Sequence, residues 1–303
     1  MRGLTSALLP ACAALAPCLA PSRAWAQACC AAASAVTPAR LEPHEDALAG
    51  VQLRAGAVIG SYDTGGRYVP SPSGDAEGDF EEDLFAAVRV LRRGQVALLV
   101  PVIETLRRTP RDGASFGGGI GDVNASVRYD FVAAGESRVV PGVALLAGVT
   151  LPTGRPPEQA TPPLATDATG VGAFQGNAAL ALEQTAGPWL FAATGLVALR
   201  TPRFGQQLAP QVTLLAAGAY SFDAAVVALS VSYTFEAEAT ASDGTSVPAS
   251  SRRLTAITLG GLLPLGERWR VAASLFLDPP VDALGSNQPA SAGLTTALIR
   301  SFF

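Results

Sequence analysis

Long apolar runs are what this chain lacks first. Hydrophobic residues fill 49% of its 303 positions and charged residues only 15%, a balance that would suit membrane helices. Yet past the N-terminus, Gly, Pro and polar residues interrupt every run before the roughly 20 apolar residues that a spanning helix needs. Low charge without helices points to sheet with one solvated face. Charge of one sign is scarce too. The net charge is −4, which argues against a nucleic-acid partner. Lysine is absent, all 21 basic residues being Arg, and no function is read from that.

The four cysteines, Cys12, Cys18, Cys29 and Cys30, build no framework. Two fall in a removable leader, and the adjacent Cys29 and Cys30 are poorly placed to bond each other. That leaves no disulfide network and no cysteine metal site. Neither Cys18, preceded by Pro17, nor Cys29, with no Leu upstream, sits in a good lipidation sequence. Histidine is reduced to His44, ahead of the first strand. Enzymes built inside barrels mostly use a His as base or acid near neutral pH, and here an N-terminal tail would have to deliver it. No catalytic residue, metal site or cofactor is therefore assigned, and His44 reads as a solvated tail residue.

What is present begins with a secretory leader. Arg2 supplies the positive start, and 4–19 is mostly apolar but short and broken by Pro10 and Pro17. Ala24-Trp25-Ala26 and Ala26-Gln27-Ala28 then offer small-residue cleavage sites. The expected organisation is a signal peptide over 1–26, a flexible periplasmic tail over 27–49 and a β-barrel over 50–303.

The fold class follows from 117–131, GGGIGDVNASVRYDF. Asp122, Asn124, Ser126, Arg128 and Asp130 alternate with Val123, Ala125, Val127, Tyr129 and Phe131. Side chains on a strand point to opposite faces with period two, so this strand has one wet and one oily face. GGGIG is no nucleotide loop, since that fingerprint needs a helix after it. Eleven further strands are expected at 50–62, 79–92, 95–106, 138–151, 172–184, 188–200, 211–222, 225–236, 252–263, 268–277 and 292–303. Connections after odd strands read as long and rich in Gly, Pro, Ser and Asp, and those after even strands as tight. A transmembrane antiparallel up-and-down β-barrel of about 12 strands sorts its loops this way, tight turns periplasmic, whereas a soluble sandwich has no reason to.

Aromatics agree. Tyr129, Phe131, Trp189, Phe191, Tyr220, Phe222 and Trp269 recur beside the short turns as an interfacial girdle, with Tyr233 and Phe235 toward the other rim. Phe303 shares parity with Ile299 and Ala297 and reads as a C-terminal signal for the outer-membrane assembly machinery. Parity assigns Asp122, Asn124, Ser126, Arg128, Asp130, Gln175, Asn177, Glu183 and Arg300 to the lumen, with Gln211, Thr213, Ser230, Ser232 and Thr234. Such residues either filter solutes or pair and seal the barrel. The acidic cluster Asp75, Glu77, Asp79, Glu81, Glu82 and Asp83 lacks the glycine and glutamate spacing of an EF-hand and reads as a solvated rim meeting divalent ions among lipopolysaccharide. Val96–Ile103 is apolar on both faces, and Pro101 and Pro141 fall inside expected strands.

Gly119-Ile120-Gly121-Asp122, the alternation to Tyr129, and 143–149 leading into Leu151-Pro152-Thr153-Gly154 resemble an outer-membrane family linked to the meta-cleavage pathway of phenol degradation, described as transporters. Its members share a GxGD-type strand start, a Pro-Thr-Gly turn and a Gly-rich return strand, which 170–176 matches loosely. The resemblance covers about a third of the chain. It implies a barrel and passage of small solutes, aromatic or hydrophobic ones included. The rivals are a closed structural or adhesion barrel presenting its long loops, and a secreted soluble β-sandwich.

Overall fold

The computed structural model describes residues 40–137 and 139–303. The expected signal peptide, the four cysteines and the tail up to residue 39 lie outside the described residues, as does Arg138. Twelve long strands are present: β1 (Ala47–Tyr62), β2 (Ala76–Leu91), β3 (Gly94–Thr109), β4 (Gly113–Ile120 continued by Val123–Val132), β5 (Gly142–Leu151), β6 (Gln175–Ala186), β7 (Trp189–Arg200), β8 (Gln211–Ser221), β9 (Val226–Glu236), β10 (Arg252–Pro264), β11 (Trp269–Leu277) and β12 (Gln288–Phe302). Each pairs antiparallel with its sequence neighbours, and β1 also pairs along its length with β12. The sheet therefore closes without an edge.

Closure and the side-chain pattern have one physical cause. Hydrocarbon offers no partner for backbone N–H and C=O groups, so a sheet in a membrane must pair every strand on both sides. The outer face is correspondingly oily: Leu275 is 63% exposed and Leu84 55%, while Arg128 and Glu183 inside are 4% and 5% exposed. No helix among the described residues is long and apolar enough to cross a membrane. The fold is a bacterial outer-membrane β-barrel.

Loop lengths depart from the expected sorting at one hairpin. The connection after β3 is only 110–112, because β3 and β4 run past the neighbouring strands, and the connection after β4 is 133–141. The long outer connections are 63–75, 152–174, 201–210, 237–251 and 278–287. The 152–174 loop leans inward on the tall β3–β4 hairpin. There Arg107 donates to the Leu164 carbonyl at 2.8 Å, and Ser115 and Thr166 share a hydroxyl hydrogen bond of 3.0 Å. Gly117 faces Thr166 so closely that a Cβ would sit 2.8 Å from its hydroxyl. The glycine run is thus a seat for this loop.

β4 itself is broken at Gly121-Asp122, and Pro101 explains the break. Gly121 donates its N–H to the Pro101 carbonyl at 2.8 Å, but proline has no N–H to return to the Gly121 carbonyl. The Thr153 hydroxyl supplies the missing donor at 2.6 Å. Val123, the first residue of the continuing strand, donates back to the same hydroxyl oxygen at 3.0 Å. Asp122 is the extra residue of a bulge: its pairing register shifts by one between Val102–Ile120 and Leu99–Asn124. Its carboxylate accepts N–H groups from Gly154 at 2.9 Å and Val171 at 2.7 Å. Asp122 therefore anchors a loop rather than lining the lumen as parity suggested, because the bulge releases it from the face that Asn124 occupies.

Asp122→Ala should leave two loop N–H groups without their charged acceptor, a loss of about 3–6 kcal/mol at about 1.5–3 for each such bond. The expected result is cleavage after Glu158 by a glutamate-specific endoprotease in the folded variant, where the parent loop stays intact. Equal resistance in both would contradict the anchoring role.

Candidate functional site: the barrel lumen

With tight turns on the periplasmic side, the lumen reads upward from the turn level of β2–β3 and β10–β11. The first strand starts at Ala47 instead of residue 50, and residues 40–46 fold across the inside of the barrel at this end. The Arg40 guanidinium lies 2.6 Å from one carboxylate oxygen of Glu183 on β6, and Arg128 on β4 holds the other at 2.9 Å. Leu41 donates its N–H to Gln95 on β3 at 3.0 Å. On the opposite wall Arg270 of β11 pairs with both Glu42 and Glu45, the latter at 2.9 Å. Arg89 of β2 donates to the Glu45 carbonyl at 2.8 Å, and Ser301 of β12 donates to the Glu45 carboxylate.

An apolar cluster seals around this crossing. Leu41, Leu48, Phe85, Ala87, Ala97, Ala297 and Ile299 are buried together, with Leu99 and Ala272 against them. A second inner cluster, Leu190, Ala219, Val226, Ala228 and Leu262, lines the same end of β7–β10. These clusters explain the stretches that read as apolar on both faces. Val96–Ile103 turns Ala97 and Leu99 toward the crossing segment instead of toward water.

Above this floor lies a chamber of about 550 Å³. Its wall carries Gln52 and Arg54 from β1, Glu81 and Asp83 from β2, Asn124, Thr150, Gln175, Asn177, Gln211, Thr213, Ser232, Thr234 and Thr258. Asn124 donates to the Thr150 hydroxyl at 3.0 Å, and the Thr213 and Thr234 hydroxyls lie 3.2 Å apart. Toward the outer side Arg200 bridges Glu236 at 2.9 Å and the Gln175 amide oxygen at 2.8 Å. At the two ends of the lumen the charges pair in place, and neutral amides and hydroxyls line much of the wall between them.

Sequence parity placed Asn124, Gln175 and Asn177 where the chamber wall is, and the structure brings Ser126, Arg128 and Glu183 together below it, buried. Asp130 shares Arg128 at 2.7 Å; Ser230 is buried on the same inner face. Arg300 is a correction. It points outward, 5.5 Å from the Trp269 ring centre and 5.1 Å from that of Phe302. Ile299 and Ala297 take the inner positions, because the plugging segment offers them an apolar contact. Phe303 is thereby separated from the Ile299 face. It follows the strand, is exposed, and stacks on the exposed His44 at 5.4 Å.

The acidic cluster is the other correction. Asp79, Glu81 and Asp83 alternate inward on β2, with Arg54 bonded to Asp79 at 2.6 Å, so half of a supposed rim is lumen wall. Applying period two within 79–92 would have found them. Parity carried on from Ser230, Ser232 and Thr234 would have reached Glu236 as well, but no such signal marked Gln95, Arg200 or Arg270, whose neighbours alternate less cleanly. Of the expected girdle, Tyr129, Phe131, Trp189, Phe191, Phe222 and Trp269 are exposed on the outer face, with Tyr220 half-buried among them. Trp189 and Tyr220 meet edge to face at 4.9 Å, and Tyr129 and Phe131 do so at 5.0 Å.

A closed twelve-strand barrel with an oily exterior and a polar, partly plugged lumen has the form of an outer-membrane channel or a barrel of related build. The chain is similar to the crystal structure of an outer-membrane channel from Pseudomonas putida F1, with a TM-score of 0.69 and 14% identity over 87% of this chain and 100% of that one. It also matches, at TM-scores of 0.47 and 0.45, the translocator domain of the autotransporter NalP from Neisseria meningitidis and a KdgM porin. Those matches have 12% and 7% identity, each over 84% of this chain and over 88% and 99% of the other. No family model matches the chain, and no curated protein sequence does.

Deleting residues 40–45 should remove the ion-paired floor while leaving every barrel strand intact. Single-channel recording is then expected to show conductance several-fold above that of the full chain. Equal conductance from a correctly folded deletion would show that the crossing segment does not limit the lumen.

Proposed function

We propose that the barrel is a channel for small solutes, aromatic and other hydrophobic compounds among them, that works without covalent chemistry. The observation that carries this reading is the 550 Å³ chamber at mid-lumen. Its volume falls in the range of about 300–1,000 Å³ typical of small-molecule sites. It is walled by hydrogen-bonding side chains and floored by Leu99, Leu196 and Ala272. The sequence resemblance to the phenol-degradation family supports compact aromatic solutes in particular. In this reading the polar wall sets selectivity, and residues 40–46 narrow the periplasmic exit. Insertion by the outer-membrane assembly machinery and contact with lipopolysaccharide at the outer rim belong to the same proposal.

The ion-paired crossing segment favours a second reading, a sealed barrel that displays its tied loops. Liposomes separate the two. A channel gives uptake of small uncharged solutes that falls off with solute size, and a faster rate once residues 40–45 are deleted. A barrel sealed by that segment gives no uptake with the full chain and opens only in the deletion, and loop trimming at 152–174 should then abolish whatever the outer surface binds.

A further inference from the structure

The chamber wall is electrically lopsided. Asp79, Glu81 and Asp83 occupy successive inward positions of β2. Arg54 is the one cationic side chain on the chamber wall among the described residues. It is committed to Asp79 at 2.6 Å and reaches Glu81 only at 3.7 Å. Three carboxyl groups therefore share one guanidinium on this side. The facing wall, built from β6, β8 and β9, answers with Asn177, Thr213 and Ser232 and offers no cation.

Asp83 gives the second observation. Its side chain is 5% exposed. One carboxylate oxygen accepts the Gln52 amide at 2.9 Å, and the other has no donor. A buried carboxylate oxygen without a donor is costly, and the wall would be cheaper to build with an amide there. The missing partner is a group that brings both positive charge and N–H donors.

We propose that Glu81 and Asp83 form a subsite for the ammonium group of a compact organic amine. The inference rests on the solute-channel reading and names the solute class. The ammonium supplies the donor that Asp83 Oδ1 lacks and adds a second cation beside Glu81, which otherwise only shares Arg54 with Asp79. The organic body lies on the apolar floor of Leu99 and Leu196, and the amides and hydroxyls opposite accept or donate around it. Size and charge both fit: the chamber admits a small molecule, and charge-assisted hydrogen bonds are roughly twice as strong as neutral ones.

Three probes with one aromatic body test this by calorimetry on the full chain folded in detergent: phenethylamine, neutral 2-phenylethanol and anionic 3-phenylpropionate. The amine is expected to bind at least about tenfold more tightly than the alcohol, with the acid weakest. Asp83→Asn and Glu81→Gln, each close in shape to the parent, should each remove most of that preference while the heat-modifiable migration of a folded barrel is retained. Equal binding of amine and alcohol would overturn the subsite, and so would unchanged amine preference in both variants. It would mean that the two carboxyls satisfy each other by sharing a proton. Amine binding without liposome flux would defeat only the channel reading. Flux indifferent to charge, with no binding preference, would defeat only the subsite.

Discussion

The need to pair every backbone N–H and C=O inside hydrocarbon governs this molecule. The ladder between β1 and β12 meets that need, running from Ala47–Phe302 to Tyr62–Gln288 with a single irregularity. Once the sheet is closed, its outer face is committed to lipid and its inner face to whatever the chain can place there. The oily residues go outward, so the usual apolar core is unavailable. What fills the interior is a set of ion pairs, amide and hydroxyl bridges, and small apolar clusters around one inserted segment.

That inserted segment and the wall are complementary. The wall offers Glu183 to Arg40 on one side and Arg270 to Glu42 and Glu45 on the other. Each wall charge would be expensive alone, since leaving a buried ion without its partner costs about 3–5 kcal/mol. The floor is therefore held by the same electrostatics that would penalise its removal, while the chamber above keeps charge on only one side. The outer loop at 152–174 is held differently, by hydrogen bonds from a bulge that Pro101 makes necessary. The residues that carry the family resemblance, Gly121, Asp122, Thr153 and Gly154, sit in that joint. Their job in this structure is mechanical.

Much of this was legible in the sequence because period-two alternation is a local property. Ser126, Arg128 and Glu183 declare their face from their own neighbours, and the strand count follows from the turns. Two things were not legible, and a third was legible but overlooked. The bulge at Gly121-Asp122 resets parity, and it exists because of a proline on the neighbouring strand, twenty residues away. The inward side of Ile299 and the outward side of Arg300 depend on a segment that reads as a tail, so parity at the last strand was taken in the wrong phase. Asp79, Glu81 and Asp83 were masked by their acidic neighbours, which made a lumen wall look like a surface run. In the first two cases the deciding contact lies far off in sequence; in the third the strand's own alternation would have decided it.

The central claim is that the oily strand faces meet lipid. Trp25, Trp189 and Trp269 are the chain's tryptophans, and the latter two sit exposed on the outer face beside the tight turns. With Trp25 replaced by Phe, fluorescence of the folded protein in vesicles of brominated lipid measures their contact with the bilayer. The account predicts strong quenching, greater for bromines placed near the headgroups than for bromines at the bilayer centre. Fluorescence indifferent to bromination in a folded, inserted protein would contradict it.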